Sequence, residues 1–71
     1  MTKTFPLSQY KEAFNHAAKK ATELNMAVGI EKTREFTSTI FRSGFLLPKK
    51  ENRCGFELTC EVVEPGQPFM Q

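Results

Sequence analysis

Two cysteines, one histidine and eight glutamates are the residues of this chain best suited to chemistry, and there is no aspartate to add to them. Cys54 and Cys60 lie six residues apart. On one extended strand that spacing separates their sulfurs by about 20 Å, too far for a shared zinc ion or an intramolecular disulfide. They also lack C-x2-C spacing and a second ligand pair, so the sequence calls for no metal and no cofactor. Both cysteines read as small residues on the inner face of a strand. Cys54 at an edge is the one that oxidation would join to another chain. Glu57 and Glu61 are four residues apart. On a strand that is about 13 Å, wider than the carboxylate pairs of glycoside hydrolysis. His16 sits opposite the apolar side of its helix, among charged neighbours, where a Cys–His pair would have to reach across the helix. The four glycines are isolated, so no phosphate-cradling loop exists. The expectation is a protein that is not an enzyme and has no small-molecule substrate.

The elements that carry these residues follow from periodicity. Leu7, Tyr10, Phe14, Ala17, Ala21 and Leu24 recur at spacings of three and four, which predicts a helix over about 8–24. Pro6 fixes its entry, Ser8 is the expected N-cap, and Asn25 can end it in a left-handed conformation. The outer face is then Glu12, His16, Lys19 and Glu23. Ala17 and Ala21 let the helix backbone come close to whatever it covers. After Asn25 the period changes to two, predicting strands over about 26–31, 36–47 and 54–63, with a turn at Lys32–Glu35 and a charged loop at 48–53. Residues 64–71, with Pro65 and Pro68, form a tail. The expected fold is one α+β domain spanning 1–71: an N-terminal helix packed on a three-stranded antiparallel meander.

Register within that meander exposes a conflict. Pairing Leu47 with Cys54 sets Phe45 opposite Phe56, Phe41 opposite Cys60 and Thr39 opposite Val62, all under the helix. Arg42 then reaches Glu57 or Glu61 on the far face. A hairpin centred on Thr33, however, puts Met26, Val28 and Ile30 on the face of Phe36 and Ile40. The second strand must therefore change its apolar face near Ile40-Phe41. Either a bulge near Ser38 or Gly44 restores one core, or the sheet is apolar on both faces and a partner covers the second.

Composition sets the outer bounds. Seventy-one residues make one thin-cored domain. No apolar run approaches the ~20 residues of a membrane span, and the start Met1-Thr2-Lys3-Thr4-Phe5-Pro6 lacks the apolar stretch of a secretory signal. A cytoplasmic protein with reduced thiols and no membrane partner is expected. The net charge of +2 averages a basic middle and an acidic end: residues 31–53 hold six bases against three acids, and residues 54–71 hold three acids and no base. The expected function is that of a small accessory or regulatory protein that binds another protein, including a second copy of itself, through Met26, Val28, Ile30, Phe36, Ile40 and Leu46. The alternative is a nucleic-acid-binding module using Lys32, Arg34, Arg42, Lys49, Lys50 and Arg53, with phenylalanines interleaved among the bases as in single-strand binders.

Overall fold

A computed structural model describes residues 3–36, 38–47 and 60–71. The chain opens with a short strand β1 (Lys3–Pro6), passes through a 3-10 turn (Leu7–Gln9) and enters helix α1 (Tyr10–Leu24). Strands β2 (Val28–Glu35), β3 (Ser38–Leu46) and β4 (Cys60–Val63) follow. The architecture is α+β, with α1 covering one face of a four-stranded antiparallel sheet of order β1-β3-β2-β4.

The helix forms where the three-and-four spacing places it and ends at Leu24 as expected, with only its start shifted, to Tyr10. Ser8 lies in the 3-10 turn, and no side chain caps the N-terminus of α1. Asn25 closes the other end at φ +53°, donating its N–H to the Ala21 carbonyl. Phe14, Ala17 and Ala21 are buried as the stripe requires, joined by Ala13 and Ala18. Leu7 and Leu24, at the ends of the stripe, stay about half exposed. A helix face built from four alanines can approach a sheet closely. The Ser43 hydroxyl uses that proximity, donating to the Ala13 backbone carbonyl at 2.7 Å.

Strand order departs from the meander. Phe5 of β1 pairs with Phe41 of β3, and both rings join the core. β1 thus holds the side of β3 that the meander reserved for the last strand, and β4 lies against β2 instead. Cys60 is opposite Glu31 and Val62 opposite Gly29, in place of Phe41 and Thr39. Of the remaining expected pairs, Cys54 and Phe56 lie outside the described residues. The phase of β4 shifts with its position: Val63 is fully buried beneath the helix, while Cys60 and Val62 are half-buried on the other face. Pro6, which cannot donate a ladder hydrogen bond, is tolerated because β1 is an edge strand.

The bulge is present. Pairing along β2–β3 runs from Glu35↔Ser38 to Ile30↔Ser43, then jumps to Gly29↔Phe45. Gly44 is the extra residue and sits at φ +95°, a left-handed conformation that glycine adopts without a Cβ clash. Through this jump Phe41 and Ser43 face the helix together with Val28 and Ile30, and Phe45 turns to the opposite face. Its ring lies over Gly29, where a Cβ would come within 2.7 Å of Phe45 Cζ.

Residues 64–71 are more than a loose tail. A turn at Pro65-Gly66 sends the chain back along α1. The Gly66 N–H donates to Thr22 Oγ1 at 3.1 Å, the Met70 N–H donates to Asn15 Oδ1 at 2.7 Å, and Asn15 Nδ2 donates to the Met70 carbonyl at 3.0 Å. Asn15, Ala18 and Thr22 fall on one line of the helix, so this strap follows the flank on which Ala18 is fully buried.

Candidate interaction surface

Ser43, His16 and Tyr10 are the polar side chains that link helix to sheet. Ser43 is fully buried and gives its proton to the Ala13 carbonyl, so it is not poised as a nucleophile. His16 Nδ1 lies 3.4 Å from Ser43 Oγ, and the imidazole packs at 5.8 Å against the Phe5 ring. The expectation of a solvent-facing His16 is therefore corrected: β1, missed in the sequence, forms a wall beside it. Burial lowers the His16 pKa, and Lys20 and Lys3 add to that effect. The Tyr10 phenol donates to the Glu61 carboxylate and meets the Phe41 ring edge-on. Burial, the hydrogen bond and the negative charge of Glu61 together raise the Tyr10 pKa above its ordinary value. Burial and the adjacent Glu31 raise the Cys60 thiol. No group of three metal-ligating side chains occurs among the described residues, and no helix there is long and apolar enough to cross a membrane.

The six residues expected to share an apolar partner face do not lie together. Val28 and Ile30 belong to the core beneath α1, because the Gly44 bulge turns them and Phe41 to the same side. Leu46 pairs with Val28 and is half exposed at the end of β3. Met26 is exposed in the connection between α1 and β2. Ile40 is half-buried on the face away from the helix, opposite Thr33.

Phe36 stands apart from all of them. It lies in a turn directly after Glu35, beyond the last β2–β3 pair Glu35↔Ser38, is 97% exposed, and holds φ at +54°. The first central residue of a tight hairpin takes a positive φ because the primed turns match the twist of the strands they join. Asn, Asp and Gly are the residues suited to that position, and a phenylalanine there is conformationally costly. The expectation that Phe36 opens a strand and that Lys32–Glu35 forms the turn is corrected: β2 continues through Glu35.

Of the expected basic set, Lys32, Arg34 and Arg42 are exposed, and Lys49, Lys50 and Arg53 lie outside the described residues. Arg42 is not opposite Glu61. Its Nε lies 3.5 Å from Glu31 Oε1, its cross-strand neighbour. Lys32 and Arg34 lie on the same side of β2, opposite Phe41 and Thr39. The interleaved phenylalanines separate: Phe41 is in the core, Phe45 covers Gly29, and only Phe36 meets solvent fully.

The fold and its exposed features define a small α+β domain with an aromatic-tipped hairpin. Comparison of the chain with protein-family models, curated proteins and solved structures finds no match.

Proposed function

We propose that this chain is a small, non-enzymatic cytoplasmic protein that acts by binding another protein, with Phe36 at the β2–β3 hairpin tip as its anchor. The observation that carries this reading is the combination of 97% exposure and a φ of +54° at one phenylalanine. An exposed ring contributes nothing to the core. A left-handed backbone at a residue with a Cβ costs about 1–2 kcal/mol. The fold therefore bears a cost at Phe36 for which it receives no packing in return, the pattern expected where strain serves a site. Buried in a partner, the same ring contributes roughly 1.5–3 kcal/mol, and aromatic side chains are frequent hot spots of protein interfaces. The dispersal of the phenylalanines favours this reading over single-stranded nucleic acid, whose binders stack successive bases on aromatic rings sharing one face.

The test replaces Phe36 with a photo-crosslinking benzoylphenylalanine in the cells that make the protein. The expected result is a discrete protein adduct that excess wild-type chain suppresses and excess F36A does not. The same probe at the exposed Lys11 of α1 serves as the control. Absence of any adduct specific to position 36 refutes the reading.

A further inference from the structure

We infer that the site receiving Phe36 is an apolar pocket with an acidic rim on a folded protein, an inference that rests on Phe36 being the anchor. Alternate residues of a strand share a side, so Lys32 and Arg34 follow one another toward the tip at roughly 7 Å intervals. Both are exposed, and neither forms an ion pair with any side chain the structure describes, whereas Arg42 pairs with Glu31 and Lys20 with Glu23. On the β3 side their cross-strand neighbours, Phe41 and Thr39, bring no carboxylate to them. The segment from Lys32 to Phe36 holds two bases against one acid, Glu35. The tip is convex: a single ring projects, with cations set behind it on one side. Its complement is a concavity deep enough for a phenyl ring, with carboxylates on the wall that meets Lys32 and Arg34. Rim charges of this kind steer encounter and raise the association rate more than they strengthen the final complex.

An anionic bilayer or a nucleic acid shares the charge but not the shape. One ring and two cations fall short of the combined signals that hold a protein stably on a membrane, and a lone aromatic tip offers no stacking platform.

The crosslinking assay at position 36 is therefore repeated in lysate of the same cells, with the purified probe-bearing chain added, at ~0.05 and ~0.5 M salt, a change that shortens electrostatic screening to a few ångströms. It is repeated again in K32E/R34E and in K32Q/R34Q, each confirmed folded by its thermal transition. The expected result is a protein adduct whose initial rate of formation falls roughly tenfold at high salt and in K32Q/R34Q, and further in K32E/R34E. An adduct whose rate ignores both salt and charge overturns the acidic rim and leaves Phe36 as the anchor. Loss of the adduct on nuclease treatment overturns the protein pocket. So does co-sedimentation of the chain with phosphatidylcholine vesicles containing about 30% phosphatidylserine that F36A abolishes. Absence of any adduct refutes the anchor itself.

Discussion

Replacing Phe36 with asparagine should stabilise the fold while removing its binding anchor. The side chain is 97% exposed, so its loss forfeits no buried area. The backbone at φ +54° is a conformation that asparagine tolerates better than phenylalanine and commonly adopts in tight hairpins. Removing most of a left-handed penalty of about 1–2 kcal/mol leaves a net gain of roughly 0.5–1.5 kcal/mol. For a domain of this length each 1 kcal/mol moves Tm by about 4–8 °C. The gain is read by thermal melting and by urea titration, where the midpoint should rise with an unchanged slope. F36A keeps a Cβ and so keeps the strain; it should melt near the wild type and still lose the crosslinked partner. If F36N melts at or below the wild-type temperature, the positive φ carries no cost, and the argument from strain to function at this residue fails.

Three further substitutions probe the interior. His16 has a lowered folded pKa, so the unfolded chain binds the extra proton first. Stability should be at its full value above the unfolded pKa of about 6.5 and decline as pH falls below it. Urea midpoints between about pH 7.5 and 5 should show this fall in the wild type and less of it in H16Q; equal slopes would contradict the burial assigned to His16. G29A places a methyl group against the Phe45 ring and should cost about 1–2 kcal/mol, with F45L relieving part of the cost in a double-mutant cycle; strict additivity would show that the ring does not sit over Gly29. Y10F removes a hydrogen bond to the Glu61 carboxylate and should cost about 0.5–1.5 kcal/mol at neutral pH. Because the folded pKa of Tyr10 is raised, its contribution is complete below the unfolded value of about 10 and declines at higher pH, so the wild-type advantage over Y10F should shrink in alkali.

The parts of the fold visible in the sequence are those with a period or an unusual residue to mark them. Phe14, Ala17 and Ala21 announce the helix, and Asn25 marks its end. The conflict between the faces of Ile30 and Phe41 pointed to a bulge, with Gly44 one of two places able to host it. What escaped has little local signal. β1 has four residues, one of them Pro6, and only Phe5 is apolar and buried, so neither length nor alternation reveals a strand. Its pairing with β3 decides the order of the whole sheet, yet no local pattern names a strand's neighbour. In β4 the alternation of Cys60 and Val62 selects those residues for the core, but Val63 is apolar too, and pairing beside β2 puts Val63 against the helix instead. The wall beside His16 is β1, so the helix pattern alone leaves His16 facing solvent. Aromatic residues favour strands, so the sequence assigns Phe36 to one, and only the observed turn shows it working against its local preference. That same conflict is what makes it a candidate site.

The remaining question is whether Phe36 is exposed by design or because a domain this short cannot cover everything. The rest of the chain argues against mere shortage of cover. Gly44 adds one residue to β3 so that Val28, Ile30 and Phe41 all face a single helix. The helix meets them with alanines, close enough for Ser43 to bond its backbone. The strap from Gly66 to Met70 runs along the flank of Ala18, and Asn15 holds it by two hydrogen bonds. Phe45 folds down onto a glycine that leaves room for it. A chain with these devices for covering apolar surface still places a full phenyl ring in water, at a turn position where asparagine or glycine would fold with less strain. Leu7, Leu24 and Leu46 are each about half covered and lie at the ends of their elements, as marginal packing would leave them. Phe36 is neither half covered nor in a relaxed conformation. Poor coverage explains exposure but not a strained backbone, whereas a presented anchor accounts for both.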